Sequence, residues 1–199
     1  MTTSGAFLEG NLVHLRGVRR TDVPIMAAWT DDRVVTRFLS RGAQPASVER
    51  SLAQFDRATQ GPADDIELAI CLKGTDAPVG ITGIHGISPI ARSAEFRILI
   101  GDKAAWGKGI GTEVTQLMAV YAFEVLNLNK LALGVNSSNV GAVRAYEKAG
   151  FVTEGVLRED TYRNRRYYDS TCMSMLRREY EEKWSTWAIA PSIRLQFPG

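Results

Sequence analysis

The strongest helical pattern of the chain lies over residues 110–126, where apolar side chains recur every three or four positions. The positions on this apolar face are Val114, Leu117, Met118, Tyr121, Ala122, Val125 and Leu126. Further helices are predicted at residues 23–29, 33–39, 47–59, 139–149 and 177–187. Residues suited to cap these helices are Thr21, Asp22, Ser47, Asn139 and Gly150.

Apolar and polar residues alternate over residues 66–72, which predicts a half-buried strand. Other strand patterns lie at residues 12–15, 79–87, 94–100, 131–135, 151–157 and 167–176. The central helices connect strands that must then lie parallel, whereas the short connections elsewhere predict hairpins. The sequence therefore predicts a mixed α/β (α+β) fold, with a central sheet of about six to seven strands flanked by helices.

Length and composition narrow the classes of function. The 199 residues are most simply one domain, residues 1–199, with a tail over residues 188–199. With 24 basic and 22 acidic residues, the formal net charge is +2, which argues against nucleic acid or a membrane surface as the main partner. Cys71 and Cys172 form no metal-binding or disulfide pattern, and no signal peptide or membrane span is evident. We therefore expect a cytoplasmic protein that needs no metal.

A glycine-rich loop, WGKGIGT at residues 106–112, joins the strand at 94–100 to the strong helix. Its three glycines allow successive backbone N–H groups to face one anion at a helix N-terminus, and Lys108 adds positive charge. The spacing matches neither the Walker A loop nor the G-x-G-x-x-G dinucleotide fingerprint. The loop is therefore interpreted as a phosphate or pyrophosphate cradle, and the alternative is a connection that only permits a tight turn.

A second segment, NVGAVRAYEKAGF at residues 139–151, follows one helix and one strand later. The two segments together resemble the cofactor motifs of the GNAT acetyltransferase superfamily. The resemblance runs from about residue 12 to about residue 180, and the core of the domain is expected at about residues 10–180. The resemblance is greatest to the branch of ribosomal-protein N-terminal and spermidine acetyltransferases. Trp106 stands where the superfamily has Gln or Arg. This difference affects one side-chain contact to the cofactor, and the backbone cradle is unchanged.

The resemblance implies the GNAT fold and acetyl-CoA as the acyl donor. The loop would hold the pyrophosphate, the backbone of the strand before it would pair with the pantetheine arm, and Asn139 would bind the arm or simply cap its helix. The expected cofactor-binding residues are Ile98, Leu99, Ile100, Trp106, Gly107, Lys108, Gly109, Ile110, Gly111, Thr112 and Asn139.

The resemblance also implies that Tyr146 lies beside the cofactor sulfur, where its hydroxyl would protonate the departing thiolate. Helical spacing alone would favour a tyrosine packed in the core. Glu95 is the leading carboxylate for accepting a proton from the amine, with a salt-bridged strand position as its structural alternative, and His85 is the second choice. Glu113 is interpreted as complementing the helix dipole.

The expected reaction is direct transfer of an acetyl group to a primary amine, and the alternative is a non-catalytic CoA-binding regulatory module. Spermidine enzymes of the branch carry acidic residues between the early helices. Here the segment at residues 37–51 has three basic residues, Arg37, Arg41 and Arg50, and one acidic residue, Glu49. Protein N-termini, amino acids, amino sugars and antibiotics remain open as acceptors. Trp29, Phe38 and Leu39 are expected in the acceptor wall or the core.

The end of the chain carries two further expectations. Tyr167, Tyr168, Trp184 and Trp187 look exposed, which predicts a homodimer. Relatives usually have Asn-Gly in the last hairpin, so Arg165 in place of the glycine predicts a different turn or a contact made by the loop itself.

Overall fold

The computed structural model describes residues 5–40, 45, 47–59 and 65–187. Arg41 and the predicted tail at 188–199 lie outside these residues. The eight strands are β1 (Leu8–Glu9), β2 (Val13–Gly17), β3 (Ile66–Leu72), β4 (Pro78–Ser88), β5 (Ser93–Ile100), β6 (Lys130–Asn136), β7 (Val152–Arg163) and β8 (Arg166–Leu176). The five α-helices of the described residues are α1 (Val23–Asp31), α2 (Val48–Ala58), α3 (Ile110–Val120), α4 (Val140–Ala149) and α5 (Arg177–Trp184). None of these helices is long and apolar enough to cross a membrane.

All eight strands form one mixed sheet in the order β1-β2-β3-β4-β5-β6-β8-β7. Every neighbouring pair is antiparallel except β5 and β6, which are parallel. That parallel pair is connected through α3, as the helical crossover predicted, whereas β6 and β7, which α4 connects, are not neighbours because β8 lies between them. The expected mixed α/β fold is confirmed, with eight strands instead of about six to seven.

Helix α3 lies at the centre of the core, because its side chains are buried nearly all round. One π-helical turn, Tyr121–Val125, continues it toward β6. The buried side chains around it include Leu15, Ile70, Phe96, Leu131 and Met173.

Glu113 is buried on α3 and accepts hydrogen bonds from the backbone amides of Leu12 and Val13, at 2.7 and 3.0 Å. The interpretation of Glu113 as a dipole partner alone is therefore incomplete, because it also fastens the start of β2 to α3. Gly10 completes this contact, since a Cβ on Gly10 would stand 2.4 Å from the Glu113 carboxylate.

Helix termini follow the predicted caps in most places. The Ser47 hydroxyl accepts from the amide of Arg50, and Gly150 ends α4 with φ of 103°. Asp22 is an exception, since its carboxylate binds Arg16 and the amide of Arg19 instead of capping α1. The helix predicted at 33–39 is wrong, because that segment consists of successive turns.

The β7–β8 hairpin is longer than predicted and closes in a two-residue turn. Asn164 and Arg165 have φ of 48° and 62°, and both positive values are typical of a type I′ turn. The expectation of a different turn at Arg165 is therefore wrong. Trp187 is also not exposed: it is buried against Tyr180 and Trp184, whereas Tyr167 is exposed.

Candidate active site

The site begins where β5 and β6 separate. The two parallel strands pair only from Ser93–Glu95 to Lys130–Ala132, and beyond this point residues 96–100 and 133–136 no longer face each other as partners. Two cavities lie next to the separated part of β5. One of about 490 Å³, the loop cleft, is lined by the glycine-rich loop, and one of about 570 Å³, the hairpin cleft, is lined by β6, β7 and β8.

The loop cleft brings together nearly all residues predicted to bind the cofactor. Those that line it are Ile98, Leu99, Ile100, Trp106, Gly107, Gly109, Ile110, Gly111, Thr112 and Asn139. Lys108, in the middle of the loop, is exposed and does not line the cavity.

The backbone of the loop explains its glycines. Gly107 and Gly109 have φ of 73° and 83°, in the left-handed region that glycine adopts at little cost. Gly109 is the N-cap of α3, so the amides that follow it start a helix and have no acceptor within it. A Cβ on Gly111 would meet no atom within 4 Å and would extend into open space at the cleft wall. The arrangement fits an anion such as a pyrophosphate.

Three cations missed as site residues by the sequence analysis also line the loop cleft: Arg37, Arg144 and Lys148. Arg144 and Lys148 are four residues apart on α4 and so share one face of the helix, a spacing that could have identified them. The Arg37 guanidinium lies 5.3 Å from the ring centroid of Trp106. The Trp106 indole in turn donates to the carbonyl of Ile100 at 2.8 Å, which braces the loop against β5.

Asn139 caps its helix, which is one of the two roles considered for it, and it remains a candidate for the other. Its side-chain oxygen accepts a hydrogen bond from the amide of Ala142 at 3.3 Å, which caps α4. It also lines both clefts, so the capping role leaves it next to any ligand there.

Tyr146 lies on the wall that the two clefts share. Burial raises the pKa of its hydroxyl to about 12, so the group stays protonated at neutral pH. The hydroxyl makes no hydrogen bond with the part of the chain that the structure describes, and it is therefore available to a ligand. A protonated donor on a wall that two cavities share can serve as a general acid.

Glu95 lines the hairpin cleft and not the loop cleft. Both of its oxygens accept from the Arg97 guanidinium, at 2.9 and 2.8 Å. This salt bridge lowers the pKa of Glu95 below its ordinary value, so Glu95 binds a proton more weakly.

Phe38 and Leu39 line both clefts, as expected, whereas Trp29 is packed over Gly101 and lines neither.

Two other clusters of titratable side chains lie outside both clefts. His85 is paired with Asp65 at 3.1 Å, which agrees with the structural interpretation of this histidine. His14, Cys71 and Asp76 place their possible ligand atoms within 4.8 Å of one another. Arg16 and Arg19 both bind the Asp76 carboxylate, and these positive charges disfavour a cation at that place.

Comparison with known proteins agrees with the geometry. The family profile of the acetyltransferase (GNAT) domain matches residues 13–152. The spermidine N(1)-acetyltransferase of Escherichia coli K12 is 30% identical over 168 residues, which is 84% of this chain and 88% of that protein. The uncharacterized N-acetyltransferase p20 of Bacillus licheniformis is 28% identical, over 83% of this chain and 93% of its own. The crystal structure of the Vibrio cholerae spermidine N-acetyltransferase with CoA and spermine superposes with a TM-score of 0.77 at 28% identity, covering 85% of this chain and 98% of that one.

Proposed function

We propose that this chain, which belongs to the GNAT acetyltransferase family and is an acetyl-CoA-dependent N-acetyltransferase, transfers the acetyl group directly from the thioester to the amine. The transfer takes place at Tyr146, on the wall that the two clefts share. Acetyl-CoA occupies the loop cleft, and the amine acceptor occupies the hairpin cleft. The observation that supports this division is that Tyr146 and Asn139 line both clefts, so the two substrates meet beside the tyrosine hydroxyl.

The amides that begin α3 bind the pyrophosphate of the donor, and the basic side chains Arg37, Arg144 and Lys148 add positive charge along its path. Residues 98–100 pair with β4 on one side, but on the other side they lie where β5 has left β6, so backbone groups on that side can pair with the amides of the pantetheine arm. Lys108, an exposed residue of the loop, contributes through its charge alone.

In the reaction, the nitrogen lone pair of a neutral amine attacks the thioester carbonyl carbon, and a tetrahedral intermediate forms. A backbone N–H of β5 stabilises the oxyanion. The carbon–sulfur bond then breaks, and the thiolate takes the proton of the Tyr146 hydroxyl. The attacking nitrogen releases its proton to water, and a proton from water restores the Tyr146 hydroxyl. Glu95 lines the hairpin cleft, so we propose that it relays the proton from the nitrogen to water. Its lowered pKa makes Glu95 a weak base, so a charged amine loses its proton to water before it attacks.

The acceptor is proposed to be a primary amine other than a polyamine. The named spermidine enzymes act on a polycation, yet the segment between α1 and α2 of this chain is basic, with Arg37 lining the loop cleft. Protein N-termini, amino acids, amino sugars and amine antibiotics all remain candidates.

A release assay for free CoA, run with one amine of each candidate class and with spermidine, tests the proposal. We expect thiol release with at least one non-polyamine and acetylation of that amine by mass spectrometry. Binding of CoA in a thermal-shift titration without transfer to any amine would indicate the regulatory module instead.

We also propose a homodimer in the cytoplasm. Strand β7 is an edge of the sheet, and its exposed apolar residues Val152, Val156 and Leu157 offer a surface for a second copy.

Both cysteines are free, which is consistent with the reducing cytoplasm, and the net charge of +2 does not favour nucleic acid or membranes as partners. Sedimentation at micromolar concentration and cell fractionation test these points, and a monomer would contradict the first.

A further inference from the structure

Strand β7 contains an irregularity beside the hairpin cleft. Leu157 pairs with Ser170 and Thr161 pairs with Tyr168, so residues 158–160 face the single residue Asp169. Glu159, within this bulge, has φ of 53°, and its amide donates to the Asp169 carboxylate at 2.8 Å. A bulge of this kind turns side chains to the other face of a strand.

The bulge brings Asp160 into the wall of the hairpin cleft. The hydroxyl of Ser170, itself buried, donates to one Asp160 oxygen at 2.6 Å and fixes the carboxylate. The other carboxylate oxygen has no partner among the residues that the structure describes. Asp160 therefore presents a held, negatively charged acceptor to whatever fills the cleft.

Some charged side chains of the hairpin cleft are already paired with each other, and one is available to bind a ligand. Among the described residues that line it, the charged side chains are Glu95, Arg97 and Asp160. Glu95 and Arg97 neutralise each other through two hydrogen bonds. One unpaired negative charge remains, which matches an acceptor that carries one positive charge and provides no second partner for a polycation.

We propose that Asp160 binds the ammonium group of the acceptor before transfer, and that this single carboxylate selects monoamines over polyamines. The inference rests on the proposed function, because it assumes that the hairpin cleft receives the amine. The bound ammonium gives up its proton to water, and the neutral amine then attacks the thioester near Tyr146. Asp160 is thus a specificity-determining residue and takes no part in breaking the carbon–sulfur bond.

The test is steady-state kinetics of the full chain with acetyl-CoA and three amines: a lysine-free peptide with a free α-amine, glucosamine and spermidine. For Asp160→Asn, KM for the accepted monoamine should rise about tenfold or more, the loss expected for a hydrogen bond to a charged group. KM for acetyl-CoA should stay within about twofold, because Asp160 does not line the loop cleft. In the unaltered protein the KM of the amine should also rise with salt, and Asp160→Asn should weaken that dependence.

Glu159→Gln is the matched control, because Glu159 belongs to the same bulge but does not line the hairpin cleft, and its kinetics should not change. Ser170→Ala removes only the hydroxyl that fixes Asp160, and it should raise the KM of the amine by a smaller factor. This second variant carries the test if Asp160→Asn does not fold.

Different failures are distinguishable. If the unaltered protein acetylates a monoamine and neither variant changes its KM, the role of Asp160 is overturned and the proposed function stands. If spermidine is accepted as well as or better than the monoamines, the selectivity is overturned. If no amine is acetylated at all, both the proposed function and this inference are overturned.

Discussion

The ring of Tyr146 meets the ring of Phe96 edge to face, with centroids 6.2 Å apart and planes at 90°. Phe151 lies 6.2 Å from both rings and completes an aromatic triad. These contacts join α4 to β5 across the split in the sheet and hold the tyrosine ring through apolar surface. The ring makes these contacts and the hydroxyl does not, so a substitution can remove the hydroxyl without disturbing the packing of the ring.

Tyr146→Phe should keep the aromatic triad and remove only the proton donor. We expect turnover to fall by about 10²–10⁴-fold, the range typical of a general acid. Affinity for acetyl-CoA should change little, because the hydroxyl matters as charge develops on sulfur. Stopped-flow kinetics and calorimetry measure the two quantities. Near-normal turnover would show that the thiolate leaves with help from solvent.

The pH dependence of the reaction should report the amine and not the tyrosine. With a pKa of about 12, Tyr146 remains protonated over the whole working range, so rising pH removes no acid. The rate at low amine concentration should therefore increase with pH up to the pKa of the free amine and then stay level. Comparing two accepted amines of different pKa checks this, since the inflection should move with the amine. A descending limb below about pH 9 would argue against Tyr146 as the donor.

Gly111→Leu should fill part of the loop cleft. The glycine lies in the cleft wall with open space beyond its Cα, so the new side chain would enter the space assigned to the donor. We expect CoA to bind at least about tenfold more weakly in calorimetry, with an unchanged melting temperature. Gly17→Leu is the control, because it also faces open space but lines neither cleft. Equal CoA affinity in both variants would exclude the loop as the pyrophosphate site.

Arg165→Gly should stabilise the fold. Arg165 has φ of 62° in the type I′ turn, a left-handed conformation that costs a residue with a Cβ about 1 kcal/mol. Urea unfolding should show a gain of up to that size, and Asn164→Gly should gain less because asparagine tolerates the conformation. A loss of stability in Arg165→Gly would mean that the arginine side chain contributes more than the turn costs.

Asp22→Ala should be strongly destabilising. Asp22 and Arg16 are both buried and joined by two hydrogen bonds of 2.7 and 3.0 Å, and the substitution leaves the guanidinium with the carboxylate of Asp76 as its remaining ionic partner. A loss of about 2–3 kcal/mol in urea unfolding is expected when a buried charged group loses two hydrogen bonds but keeps a second ionic partner. A loss below about 1 kcal/mol, the value typical of an exposed pair, would contradict this role.

The same pair predicts a loss of stability in acid. Burial acts to raise the pKa of Asp22, but hydrogen bonds from Arg16 and the amide of Arg19 lower it below its ordinary value. Its contribution is therefore present above the unfolded-state pKa and is lost as pH falls through the lower folded-state pKa. Asp22→Ala should accordingly show a flatter stability profile below about pH 4.

The sequence by itself determined the features that depend on neighbouring residues. Strand β3 follows from alternation over seven residues, α3 follows from apolar spacing, and the caps at Ser47 and Gly150 follow from local hydrogen bonding and backbone conformation. The glycine-rich loop and the segment after Asn139 also identified the family, because their backbone geometry requires particular residues at fixed spacing. Nearly all predicted cofactor residues line one cleft for the same reason.

Only the tertiary structure decided what depends on contacts between distant segments. Residues 33–39 suggested a helix, but the segment is held as turns in which Arg163 donates to the carbonyl of Thr36, 127 residues away. The salt bridge that weakens Glu95 as a base, the burial of Trp187 and the entry of Asp160 into the hairpin cleft likewise arise from packing and strand register. Local periodicity carries no information on register or on the partner of a charge. The lining of the loop cleft could therefore be predicted from the sequence, whereas most of the lining of the hairpin cleft could not.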